Sequence, residues 1–272
     1  MLADPPAREL RRRLVSALVL APLVLAAIYI GTPLFEIILT IAAALMAWEW
    51  DRLCGDRRFG LSGWAMVLAM VVAGVAAWAR RFDIVTLALV LGSGAAYAAA
   101  AASQRNHPAW ISAGPIVIGF PCAALAWLRG LPIDGLETAL WLIGSICATD
   151  LAAFITGRVV GGARLAPKIS PQKTWSGLIG AVVASSLWGL ACGFWFGAMS
   201  LILLAFLGAG AAIVAQGGDL ALSFVKRRFG AKDASNLIPG HGGVLDRLDG
   251  MLTAAPALAA LVLLSEGGIF AW

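Results

Sequence analysis

Apolar residues run almost end to end through this chain, broken at intervals by short segments carrying charge, glycine or proline. The apolar stretches fall at about 14–31, 33–50, 62–79, 84–102, 112–129, 136–157, 177–196, 200–224 and 251–266. A run of roughly 18 or more such residues is long enough to cross a hydrocarbon layer as a helix. Within lipid, a helix satisfies all its backbone N–H and C=O groups inside one segment. The pattern therefore predicts an all-α, polytopic integral membrane protein with about nine transmembrane helices. The first run follows "ARELRRR" and lacks a convincing small-residue cleavage site, so it reads as a retained signal anchor.

Composition excludes a water-soluble domain of any size. Of 272 residues, 61% are hydrophobic and 13% charged, with a mean hydropathy of +0.88. A soluble domain sits nearer half apolar and a quarter charged. Cys54, Cys122, Cys147 and Cys192 are scattered and form no CxxC pair. Three of them lie in or near apolar runs and read as small hydrophobes, and the spacing supports neither a disulfide nor a cysteine metal site.

The net charge of +5 comes from basic residues between the spans. That placement favours anionic headgroups and topology as its cause, and no motif points to nucleic acid. With the N-terminus in the cytoplasm, all of the 20 Lys and Arg residues except Arg80, Arg81 and Arg129 fall on one side. This is the positive-inside pattern. It puts the N-terminus and the long polar loops in the cytoplasm and the C-terminus outside. Trp48, Trp50, Trp64, Trp78, Trp110 and Trp175 stand at run ends, as an interfacial belt would.

Polar chemistry is distributed unevenly. Residues 1–130 form a membrane scaffold of five helices. Residues 131–272, with four helices and two cytoplasmic loops, carry nearly all the polar chemistry and read as the working region. Ahead of the first of these loops, Asp150 stands about 12 Å inside the helix end marked by Arg158, at 1.5 Å per residue. A carboxylate at that depth costs roughly 2.5 kcal/mol or more and is a functional candidate for that reason. Packing against a partner charge is the simpler reading. The loop then supplies Lys168, Ser170, Lys173 and Thr174, stiffened by Pro167 and Pro171. Two lysines and two hydroxyls suit a phosphate, although a basic topogenic loop would look the same.

The second polar segment runs from the eighth span into the last loop and reads "QGGDLALSFVKRRFGAKDASNLIPGHGGVLDRLDG". If the helix continues past Gly217-Gly218, then Asp219, Ser223 and either Lys226 or Arg227 share one face. An acid in an apolar span followed by basic residues suits a metal-bound polyphosphate, since Mg²⁺ is held by one or two carboxylates plus substrate phosphates. Gly240, Gly242 and Gly243 permit positive φ and close backbone approach, and consecutive N–H groups there can face an anion. Asp246 and Asp249 lie three apart, with Arg247 between them able to clamp phosphate. A flexible loop whose aspartates favour a helix N-terminus is the plainer alternative. It leaves His241 and Arg247, beside Lys232 and Asp233, unexplained.

The segment from Ser223 to Asp249 resembles the signature of the phosphatidate cytidylyltransferases. Ser223, Lys226, Arg227, Lys232, Asp233, Pro239, Gly240, His241, Gly242, Gly243, Asp246, Arg247 and Asp249 match its specified positions. The upstream "LAPKISPQKTWSG" and "GGDL" are also similar to that family. Leu222, Ser176 and Phe154 depart from it, where relatives often carry Glu, an acid or amide, and Tyr.

The resemblance implies transfer of a cytidylyl group from CTP to phosphatidic acid, giving CDP-diacylglycerol and pyrophosphate for phospholipid synthesis. It implies an Mg²⁺ ion held by Asp219 and Asp246, with Asp249 and Asp150 close by and a second mono- or divalent cation as an option. Lys226, Arg227, Lys232 and Arg247 would neutralise phosphates, Lys168 and Lys173 would fix the nucleotide, and His241 would orient or protonate pyrophosphate. Ser170, Thr174, Ser223, Asp233 and the three loop glycines would complete the substrate contacts. The family also implies a homodimer in the bacterial inner membrane with a cytoplasmic active site. A CTP-dependent relative of the polyprenol kinase or CDP-archaeol synthase type is one alternative. The other is a transporter of an anionic solute, using Asp150, Asp219 and broken helices.

Overall fold

A computed structural model of the protein describes residue 18 and residues 21–238, 242–265 and 268–270. Pro239, Gly240 and His241 lie outside the described residues, as do Arg8, Arg11, Arg12 and Arg13 and residues 14–17, 19 and 20 of the expected first span. The described chain is helical apart from one small hairpin. In order it contains α1 (Ala21–Ile30), α2 (Leu34–Cys54), α3 (Leu61–Trp78), α4 (Phe82–Ala102), α5 (Pro108–Ser112) and, after a π-helical stretch, α6 (Phe120–Arg129). There follow α7 (Gly135–Val159), β1 (Arg164–Ala166), β2 (Ser170–Thr174), α8 (Trp175–Phe196), α9 (Leu201–Arg228), α10 (Leu245–Leu248) and α11 (Met251–Leu264).

Six helical segments among the described residues are long and apolar enough to cross a membrane. They are Leu61–Trp78, Phe82–Ala102, Pro108–Arg129, Gly135–Val159, Trp175–Phe196 and Leu201–Arg228. The third includes α5 and α6, joined through Pro115–Gly119; Pro115 supplies no backbone N–H to the ladder at that point. The expected spans at 33–50 and 251–266 are helical but do not join the six. Helix α2 carries Glu36, Glu49, Asp51 and Arg52, and α11 is a shorter apolar helix. The chain is thus an all-α integral membrane protein.

Outward faces are apolar and spaced for lipid. Ile179, Val183 and Leu187 recur every four residues on α8, all more than half exposed within the chain. Interhelical faces use small residues instead. A side chain at Gly208 of α9 would collide with the Ser185 backbone of α8. Without a hydrophobic drive between helices in lipid, such close backbone approach is what packs them.

By contact the chain resolves into two compact units. One comprises residues 1–126 and 229–248, and the other residues 127–228 and 249–272. The 229–248 segment, which the sequence reading grouped with the second half, thus packs with the first-half helices. In the first unit, α2 packs on α3, α3 on α4, and α10 on α2. In the second, α7, α8 and α9 pack in sequence, α11 lies on α9 and α7, and the hairpin touches α7, α8 and α9.

Candidate active site

Helix α9 settles one conditional expectation. It runs unbroken from Leu201 to Arg228, straight through Gly217-Gly218. The broken helix on which the transporter reading relied is therefore absent. Gly218 has a packing reason instead, since a Cβ there would lie 2.7 Å from the carbonyl oxygen of Asp249 and run into Thr253. Thr253 Oγ1 donates to the Val214 carbonyl at 2.9 Å, fastening the start of α11 to α9.

Because α9 continues, Gln216, Asp219, Ser223 and Lys226 fall along one helical face. The hairpin brings Lys173 to this face. Its Nζ lies 2.6 Å from Asp219 Oδ2 and donates to Gln216 Oε1 at 2.8 Å. Ser223 Oγ donates to Asp219 Oδ1 at 3.2 Å. Arg227 Nε donates to the Ile169 carbonyl at 3.4 Å. Lys226 is buried, only 8% exposed, an uncommon state for lysine without anionic surroundings.

The hairpin itself pairs Arg164 with Thr174 and Ala166 with Ser170, with an irregularity between. Thr174 caps α8: its Oγ1 accepts from Gly177 N at 3.1 Å, and the side chain is buried. Its hydroxyl is thereby engaged in structure. Lys168 lies exposed between the strands, and Ser170 is partly buried.

Asp249 completes the acidic side of this unit. Burial, then the charges of Asp219 and Asp150, push its carboxyl up to about 8; the Gly250 N–H and Lys226 oppose that rise. Gly250 N donates to Asp249 Oδ1 at 2.8 Å. Asp150 is exposed within the chain on α7, as are Leu151 and Phe154. Among the described residues no three His, Cys, Asp or Glu side chains converge as a ready-made metal cage.

The rest of the motif belongs to the first unit, where the structure reveals a residue that motif reading missed. Glu49 of α2 is fully buried. Its Oε1 accepts from Val244 N at 2.9 Å and from Ser235 Oγ at 2.5 Å, and its Oε2 from Leu245 N at 2.7 Å. A carboxylate thus receives the free N–H groups that open α10, as expected at a helix start. Gly243 is required by this contact, because a Cβ would stand 2.5 Å from Glu49 Oε1. Gly242 has φ +82°, and Ile238 N donates across the loop to its carbonyl at 2.8 Å.

Asp246 Oδ2 accepts from Ala234 N at 2.8 Å and Gly243 N at 3.0 Å, so this aspartate organises its own loop. Arg247 and Lys232 are exposed, as is Asp233. The expected pair of Asp219 and Asp246 thus falls in different compact units, while Asp219 and Asp249 share one. The one sign that Glu49 matters is its charge inside an otherwise apolar stretch, "ALMAWEW".

A family model described as the cytidylyltransferase family matches residues 11–265. A phosphatidate cytidylyltransferase of Brucella suis is 38% identical over 260 residues, covering 92% of each chain. One from Pseudomonas aeruginosa is 32% identical over 264 residues, covering 93% of this chain and 97% of its own. One from Haemophilus influenzae is 29% identical over 281 residues.

Proposed function

The chain belongs to the cytidylyltransferase family, and from that premise we propose that it transfers a cytidylyl group from CTP to phosphatidic acid. A lipid phosphate oxygen bonds to the α-phosphorus of CTP, the α–β phosphoanhydride bond breaks, and pyrophosphate leaves. The observation that carries this reading is the α9 face, where Asp219, Ser223 and Lys226 meet Lys173 and share a unit with Asp249. Acid and base are concentrated at one end of an apolar span, which suits substrates that are themselves highly charged.

The attacking phosphate oxygen is already anionic near pH 7, so no strong general base is needed. Positioning and charge neutralisation then supply most of the rate. Lys173 and Lys226 would neutralise phosphate oxygens, and Arg227 and Lys168 would extend that field toward solvent. Glu49 and Asp246 hold the α10 loop in one shape, so that Arg247 is presented from a fixed backbone.

The donor set fits a divalent cation. Asp219 and Asp249 offer two carboxylates in one unit, with the charge of Asp150 near enough to raise Asp249. Mg²⁺ commonly takes only one or two carboxylates and completes its shell with phosphates and water. In the proposal Asp219 and Asp249 hold it, a second cation beside Asp150 is an option, and it would supply neutralisation of phosphate charge when bound. The proposal extends to nine spans, a cytoplasmic N-terminus and a site facing the cytoplasm of a bacterial inner membrane.

The test is formation of CDP-lipid from CTP and phosphatidic acid by the purified chain, with Mg²⁺ and with chelator. Activity is expected to require the cation, and Asp219→Asn to lower kcat by roughly a hundredfold or more. An inactive wild-type protein would sink the transferase reading. A fully active Asp219→Asn protein would sink the cation placement alone.

A further inference from the structure

Within the first unit lies a cavity of about 530 Å³ walled by the end of α2 and by the segment after α9. Its chemistry comes from Trp48, Arg52 and Arg57 on one side and Lys232, Asp233 and Ser235 on the other. Three cations face a single carboxylate. Among the described residues no carboxylate pairs with Arg52, Arg57 or Lys232 in an ion pair. Arg52 lies 4.5 Å over the Trp48 ring, which orients its guanidinium without neutralising it. The volume is in the range of small-ligand sites, roughly 300–1,000 Å³.

Both walls are fixed by contacts that serve no other evident purpose. Arg105 bonds the buried Asp51 carboxylate at 3.0 Å, together with the carbonyls of Gly55 and Arg58. Asp51 also accepts from Ser62 Oγ at 2.6 Å and Gly60 N at 3.1 Å. This cluster holds the tight turn in which Asp56 and Arg57 take φ of 59° and 60°, a left-handed conformation uncommon outside glycine. The opposite wall starts at Phe229, whose ring packs edge-on against His107 and Trp110 at 5.3 and 5.7 Å. Ser235, further along that wall, is tied to Glu49. A rigid, net-positive cavity with an indole on its wall is built for an anion.

We infer that this cavity is an anion subsite taking a phosphate-bearing group through Arg52, Arg57 and Lys232. The inference deepens the proposed function, since that reaction offers such chemistry in two forms. One is the polyphosphate of the nucleotide and its pyrophosphate product, and the other is the phosphomonoester headgroup of the lipid.

Inorganic pyrophosphate is the direct probe, titrated calorimetrically into the full chain in detergent without added cation. Arg52→Gln and Arg57→Gln are each expected to weaken its binding roughly tenfold, the scale of one lost hydrogen bond to a charged group. Arg57→Lys should recover most of the loss, which a folding defect would not allow. In turnover assays the same variants should raise one KM with little change in kcat. A raised KM for CTP assigns the nucleotide polyphosphate, and a raised KM for phosphatidic acid in mixed vesicles assigns the lipid headgroup.

Unchanged pyrophosphate binding and unchanged KM values in the double Gln variant would overturn the subsite. Arginine-dependent pyrophosphate binding by a chain that makes no CDP-lipid would uphold the subsite and remove the cytidylyl-transfer reading.

Discussion

Asp249 stands where three like charges meet, and its protonation is the most direct report on that crowding. Its carboxyl is raised to about 8 by burial and by Asp219 and Asp150, against about 3.9 for a free aspartate. A raised acid is protonated in the folded chain while the unfolded chain has already lost its proton. Over that interval the folded state binds more protons, so stability falls as pH rises. In chelator, thermal stability in detergent should therefore decline from about pH 4 to about pH 8 and level off above. Asp249→Asn should flatten that slope, and equal slopes for the two proteins would contradict the crowding. Lys173 against Asp219 is the opposite case, a charge met by its complement at 2.6 Å.

Helix α10 has only four residues, Leu245–Leu248, too few to be stable alone. It persists because Glu49 of α2 takes the N–H groups of Val244 and Leu245. Removing a buried acceptor leaves those donors unsatisfied, at about 1–3 kcal/mol. Glu49→Ala is expected to lower thermal stability by that amount and to reduce kcat for CDP-lipid formation. Glu49→Gln keeps one acceptor oxygen and should fall between wild type and Glu49→Ala in both measurements. An active, fully stable Glu49→Ala protein would show that the loop holds its shape without α2. Helix α9 contrasts with α10: 28 residues long, it carries its chemistry on a span that needs no local support. Of the two glycines that looked like a break, Gly218 admits α11 instead.

Across the whole molecule, the charge asymmetry predicts sidedness. Arg80 and Arg228 are both exposed, at the ends of α3 and α9, and the positive-inside pattern puts them on opposite faces. In a chain freed of its native cysteines, Arg80→Cys should react with an impermeant maleimide in intact cells. Arg228→Cys should react only after permeabilisation. Reversed labelling would overturn the orientation, and labelling of both in intact cells would overturn the odd number of spans between them.

Much of this organisation is written along the chain because its signals are local. Apolar run length, the placement of Lys and Arg, and the contiguous motif from Ser223 to Asp249 require no knowledge of distant residues. They sufficed for a helical membrane protein, for its family resemblance, and for the shared face of Asp219, Ser223 and Lys226. Other features join residues far apart in sequence, and no periodicity or motif encodes such pairings. Glu49 meets Leu245 across 196 positions, Arg105 meets Asp51 across 54, and Lys173 meets Asp219 between hairpin and helix. The first-half helices looked like inert scaffold for that reason. Burial of a charge becomes tolerable only when folding delivers its partners, and only the folded chain shows that Glu49 and Asp51 have them.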